Sequence, residues 1–272
     1  MDTDGLGPEA LTPAGVPMEP APTAVPEPVD RWSFRNPPFV WMYLLLVVIA
    51  TAVVLPLPLG AYLYPAALAG PALPVLYRRY AAGDLPGALA EMLWAAVWMT
   101  GAMLLAFPWA FPLTRTPDGT LAGVAPVLRG AAYVEEMQTW LATGLGPESD
   151  PRQFIPIHLR HFAIVGVSSL LTAGAAAFYF GAIQMAYMNA YVYAVASQTT
   201  SLPAALTALV MAWHVWSVVR VVSFITLATA LGYPLYAQLK GLPQQWPLVH
   251  RMVVAAVVLE VLDLVLKALL AE

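Results

Sequence analysis

Residues 161–196 read HFAIVGVSSLLTAGAAAFYFGAIQMAYMNAYVYAVA, 36 positions with no proline and no Asp, Glu, Lys or Arg. About 20 helical residues cross the hydrocarbon of a bilayer, so a run of this length reads as a membrane helix. At ~1.5 Å per residue it would extend ~54 Å against a layer of ~30 Å, and it must tilt, protrude or break, with Gly181 the expected break. Ser169, Ala173, Ala177 and Gly181 recur every fourth residue, and Ala182, Ala186, Ala190 and Ala194 continue the rule one position on. Small residues at that spacing let membrane helices approach closely, which marks 161–196 as a central packing element.

The rest of the chain has the same character. Downstream, a second apolar helix is expected over 204–236, with Ala204, Ala208 and Ala212 four apart, and a last one over 248–270. Upstream, residues 113–156 are polar and hold one amphipathic helix, 127–143, expected to lie on the surface with Val127, Ala131, Val134, Met137 and Leu141 inward. Residues 87–112 form a further membrane helix, opened by Asp84 and Pro86. The run 39–76 has no charge either, but Leu55-Pro56-Leu57-Pro58-Leu59-Gly60 interrupts it. It makes one span plus a re-entrant segment, or two spans. Residues 1–38 are a proline-rich, acidic tail read as disordered.

Composition agrees. The 272 residues are 60% hydrophobic and 10% charged, against ~45–50% and ~25% in soluble domains. A chain so composed cannot cover a soluble surface. Together with the absence of cysteine, this excludes a cytosolic enzyme, a disulfide scaffold and a disordered chain, and no nucleic-acid partner is expected. Residues 1–38 carry six acids and two arginines, which accounts for the whole net charge of −4; the remainder balances at ten acids and ten bases.

The fold expected is an all-α polytopic membrane bundle with five to six transmembrane helices. With five spans and the N-terminus inside, Arg31, Arg35, Arg115, Arg129, Arg152, Arg160, Lys240 and Arg251 are cytoplasmic, eight bases against three; with six spans the count is five against six. Five is preferred, in a bacterial cytoplasmic membrane with the tail cytoplasmic.

Few side chains suggest chemistry. Arg220 lies inside the 204–236 helix, where an unpaired guanidinium costs roughly 2.5–3.5 kcal/mol even on a lenient insertion scale. The last helix offers Glu260, Asp263 and Lys267 on one face. The expected pairs are Arg220 with Glu260, and Asp263 with Lys267. His214, between Trp213 and Trp216, is a candidate haem or chlorophyll ligand, although no cofactor is required. Gln184, Tyr187, Asn189, Tyr191 and Tyr193 form a polar stripe that serves as interhelical contacts or lines a path. No metal site is expected; the nearest approach to one is His158 with His161, three apart, and Glu148 and Asp150 upstream. A phosphate-binding loop, a nucleophile elbow and a His-Glu-x-x-His motif are all missing, which argues against an enzyme.

The resulting expectation is a non-catalytic subunit that packs into a larger membrane assembly, with partners or a second copy meeting its small-residue seams. The alternatives are a transporter or permease component with an intramembrane Arg–carboxylate site, and a haem- or chlorophyll-binding subunit.

Overall fold

The structure, a computed structural model, describes residues 30–112, 114–115, 121–198 and 213–271. The proline-rich stretch up to residue 29, and the Ala204, Ala208, Ala212 spacing with the early turns of the 204–236 helix, lie outside the described residues. The fold is all-helical. Its elements are α1 (Pro37–Ile49), prolonged by a π-helical turn (Ala50–Val54), α2 (Gly60–Ala69), α3 (Ala72–Ala81), α4 (Leu85–Ala110), α5 (Val124–Val127), α6 (Ala131–Thr143), α7 (Pro151–Thr172), α8 (Ala175–Ala196), α9 (Val215–Lys240) and α10 (Trp246–Leu270). A two-residue antiparallel ladder pairs Thr114–Arg115 with Leu121–Ala122.

Helix starts follow local chemistry. Asp84 caps α4 by accepting from the Gly87 amide at 2.8 Å, with Pro86 in the first turn where its missing N–H costs nothing. Asp150 does the same for α7, accepting from the amide of Arg152 and from the side chain of Gln153. Those two bonds hold its carboxyl below the usual range, the Gln153 bond contributing more. The cap sets the start of α7 at Pro151, ten residues before the charge-free run begins, so Arg152, Gln153 and Arg160 ride on its early turns.

The run 161–196 is not one helix. Ala173 (φ 51°) and Gly174 (φ 92°) adopt left-handed backbone, their amides close on the Ser169 carbonyl, and the chain reverses. The break falls at Gly174, not at Gly181, which stays helical with open space where a side chain would project. The turn depends on α9. A Cβ added to Gly232 would lie 2.9 Å from backbone atoms of both Ala173 and Gly174, so only glycine lets the reversal seat there. Gly166 faces Leu227 and Leu231, and Phe162 meets Phe224, so α7 runs parallel to α9. Gly174 faces the Ala228 carbonyl while Tyr191 reaches His214, so α8 runs antiparallel to α9.

The proline-interrupted stretch also doubles back. Tyr64 pairs with Thr51 at 2.9 Å and Tyr43 donates to the Leu68 carbonyl, so α2 returns along α1. After a kink at Gly70–Pro71, α3 carries the chain to the face where α1 began: Arg79 and Ser33 meet on one carboxylate, that of Glu91. Tyr43, Tyr80 and Tyr233 are buried, and each hydroxyl donates to a backbone carbonyl of a different segment. Leaving such a buried group unpaired would cost about 1–3 kcal/mol, so these bonds tie the kinked segments down.

Among the described residues the chain therefore makes seven passes: α1, α2–α3, α4, α7, α8, α9 and α10. One face of the bundle holds Ser33, Gly83 and Gln245, the last two joined by a hydrogen bond; the other holds Trp140, His214 and Ala271. Four helices, Pro37–Val54, α4, α7 and α9, are long and apolar enough to cross a membrane. The α2–α3 pass is split, α8 carries its tyrosines with Gln184 and Asn189, and α10 carries four charges. Helix α10 turns its apolar side outward: Val254, Val258 and Leu269 are more than half exposed, whereas Glu260, Asp263 and Lys267 are buried. An exterior of this kind suits lipid, not water.

The amphipathic helix expected over 127–143 is α6, preceded by the short α5. It does not lie free on the surface. Val134, Met137 and Trp140 are buried while Leu141 is exposed, so the inward face is rotated from the one expected. Trp140 donates to the Ala271 carbonyl, and Gly130 packs against the Tyr187 ring, fastening α6 across the Trp140 face of the bundle.

Candidate intramembrane charge network

Helices α7, α9 and α10 bring five ionisable side chains together, and the loop before α7 adds a sixth. Arg220, on the second turn of α9, grips Asp263 of α10 with two bonds, Nε to Oδ2 at 3.0 Å and Nη2 to Oδ1 at 3.1 Å. His158 of α7 meets the same Oδ2 through Nδ1 at 3.1 Å, and its Nε2 lies 3.5 Å from the Lys267 ammonium. A neutral imidazole with its proton on Nδ1 serves both contacts, donating to Asp263 and accepting from Lys267. Lys267 bonds to Glu148 and lies 4.6 Å over the ring of Phe154. Asp263 and Lys267 are wholly buried, Glu260 is 2% exposed and His158 4%; the Glu148 side chain, at 15%, opens toward the Trp140 face.

Glu260 is the odd member. One oxygen meets the Ser223 hydroxyl at 3.3 Å, while that hydroxyl also contacts the Ala256 carbonyl at 2.9 Å. The other oxygen is buried without a hydrogen-bond partner. A ligand atom from each of His158, Glu260 and Asp263 lies within 4.8 Å of the others. Three such groups form a permissible cation set, but Arg220 already occupies both Asp263 oxygens.

These pairings differ from those expected. Arg220 takes Asp263 instead of Glu260, and Lys267 takes Glu148 instead of Asp263. Residues three or four apart on one helix share a face, but a guanidinium chooses the carboxylate at its own depth with room for two parallel bonds, and helix register decides that. His158 and His161 do not act together: His158 joins the network, while the His161 ring packs edge-on against Phe180. Glu148, inside a loop, carried no sequence signal for Lys267, 119 residues away.

His214 is not within a helix. It is the N-cap of α9, with its ring stacked on Trp216 at 4.4 Å and Trp140 edge-on at 5.2 Å. Its Nε2 is buried without a hydrogen-bond partner. The polar stripe of α8 disperses. Gln184 lines a small apolar cavity, Tyr187 packs on Gly130, and Asn189 bonds to the Met185 carbonyl of its own helix. Tyr191 is buried beside His214 with its hydroxyl unpartnered, and Tyr193 donates to the Phe111 carbonyl. Of these, Tyr191 lies within electrostatic reach of Glu148.

A third buried carboxylate escaped the sequence reading. Glu91, wholly buried on α4, accepts from the Ser33 hydroxyl at 2.7 Å, the Phe34 amide at 2.8 Å and Arg79 at 2.9 Å. The available signal was one acid inside an otherwise uncharged helix of 26 residues. Its role is to pin residues 33–34 onto α4.

Comparison with protein-family models, with curated proteins and with solved structures finds no match to this chain.

Proposed function

We propose that this chain is a cation-coupled membrane transport component, with Glu260 as the group that binds and releases the cation, a proton in the simplest case. The observation that carries this reading is a count of charges. Arg220 answers Asp263 and Lys267 answers Glu148, which leaves Glu260 in a membrane helix with only a serine hydroxyl. A bare carboxylate there is far too costly to persist, so Glu260 holds a proton or another cation whenever it is sealed from water. The chain Glu148, Lys267, His158, Asp263 leads from the Trp140 face toward it and is the access route in this reading.

In this reading all seven passes cross the bilayer. The Ser33 end then carries Arg31, Arg35, Arg78, Arg79, Lys240 and Arg251, and the other end Arg115, Arg129, Arg152 and Arg160, six against four with the network residues Arg220 and Lys267 set aside. The imbalance favours a cytoplasmic Ser33 face.

Ala177, Ala182, Ala186, Ala190 and Ala194 are buried among helices of this same chain, so along α8 the small residues serve internal packing.

Proteoliposomes holding the purified chain and a pH-sensitive dye test the proposal. An imposed proton gradient should collapse faster than in protein-free vesicles, and Glu260→Gln should abolish the difference while the protein stays monodisperse and helical. Equal rates for the wild type and folded Glu260→Gln would refute it.

A further inference from the structure

At the Ser33 face a groove of about 680 Å³ runs between α1 and α4, within the ~300–1,000 Å³ typical of sites for small molecules. Val40, Leu44, Trp41, Trp94 and Trp98 line it, and Arg35 stands at its mouth. Trp41 is 70% and Trp94 43% exposed, whereas the indole N–H of Trp98 is spent on the Phe34 carbonyl at 3.0 Å. Trp94 and Trp98 stack at 6.1 Å to form one wall.

The mouth is held with unusual care. Ser33 and Phe34 are buried, both bond to Glu91, and Arg79 closes the same carboxylate from the far side. The Phe34 ring packs edge-on against Phe39 and Tyr43, each at 5.0 Å. The Arg35 amide donates to the Ser33 hydroxyl, which ties Arg35 to the pin while its side chain stays exposed. A cation is thus fixed at the end of an apolar, aromatic-walled groove, at the depth where tryptophans mark the membrane–water boundary.

We propose that this groove binds an anionic phospholipid, one acyl chain lying between α1 and α4 and the headgroup phosphate on Arg35. The charge at the mouth selects the occupant. A zwitterionic lipid brings its own cation to the same place, whereas a singly anionic headgroup offers a phosphate without that competitor, and guanidinium matches phosphate in two-bond geometry. The inference stands apart from the transport reading and shares no residue with the charge network.

The test reconstitutes the full chain in phosphatidylcholine vesicles doped with brominated phosphatidylglycerol or brominated phosphatidylcholine, and follows tryptophan quenching. Brominated phosphatidylglycerol should quench at a mole fraction about fivefold lower than brominated phosphatidylcholine, the preference expected of one basic side chain at a membrane surface. Trp94→Phe should remove most of the selective component. Arg35→Gln should make the two lipids equivalent and Arg35→Lys should keep the preference, both with unchanged helix content. Equal quenching by the two lipids in the wild type, or a preference that survives Arg35→Gln, overturns the proposal. Quenching that becomes selective only after residues 1–29 are deleted also overturns it, since the groove would then belong to the chain's own tail.

Discussion

Arg220 and Asp263 are joined by two parallel hydrogen bonds, at 3.0 and 3.1 Å, across the packed faces of α9 and α10. The pair fixes the depth of one helix against the other, because a shift by one residue would part a fork that needs both oxygens. Removing Arg220 leaves a wholly buried carboxylate held by His158 alone.

The first prediction concerns that pair. Breaking a buried ion pair from one side costs roughly 3–5 kcal/mol. Arg220→Ala should fall near the lower end, since the arginine side chain keeps 23% exposure. Reversible unfolding in mixed micelles measures it. The double variant Arg220→Asp with Asp263→Arg should recover part of the loss, whereas Arg220→Glu with Glu260→Arg should show no favourable coupling. Rescue by the second combination and not the first would mean that the register given above is wrong.

His158 links Lys267 to Asp263 through its two ring nitrogens. Asparagine can place a donor where Nδ1 stood but has no atom at the position of Nε2. His158→Asn should therefore leave stability within about 1–2 kcal/mol of wild type, one exchanged hydrogen bond, while slowing gradient collapse about tenfold or more in the vesicle assay. Flux at the wild-type rate in a folded His158→Asn protein removes His158 from the access route.

Gly232 has no room for a methyl group, and Gly181 has ample room. Gly232→Ala should destabilise by about 1–3 kcal/mol as the α7–α8 turn is pushed off α9, whereas Gly181→Ala should be neutral or slightly stabilising. Thermal melting of the two variants in one detergent compares them. A neutral Gly232→Ala would contradict the close seating of the turn.

The reversal at Ala173–Gly174 can be measured directly, because the chain has no native cysteine to compete for label. Spin labels at Arg152→Cys and Ser197→Cys mark the start of α7 and the end of α8. An unbroken helix would hold them roughly 68 Å apart. The hairpin puts both near the Trp140 face, and pulsed-dipolar distances should fall well below half that figure. A distance near the longer value would restore a single helix.

Much of this organisation was legible in the residues alone. Apolar runs without charge show that the solvent is a bilayer, since no other environment tolerates them, and they place the cores of α1, α4 and α10 within a few residues. Asp84 with Pro86 marks a helix start by chemistry that needs no tertiary partner. The burial of Glu260 and Asp263 also follows from sequence, because a charge inside a long apolar run has nowhere else to go.

Three features were decided only by the tertiary structure. The reversal at Gly174 was invisible because left-handed backbone at Ala173 is strained unless a neighbour compensates, and that neighbour is the bare backbone at Gly232, 58 residues on. The partner of each charge was open because Glu260 and Asp263 are equivalent by helical periodicity; only the depth and rotation of α9 against α10 give Arg220 to one and leave the other alone. Glu148 was read only beside His158 and His161, and Glu91 not at all, because their partners, Lys267 in one case and Ser33, Phe34 and Arg79 in the other, come from distant parts of the chain. Periodicity reports which side chains face inward; what they meet there depends on register between helices, a property no single segment contains.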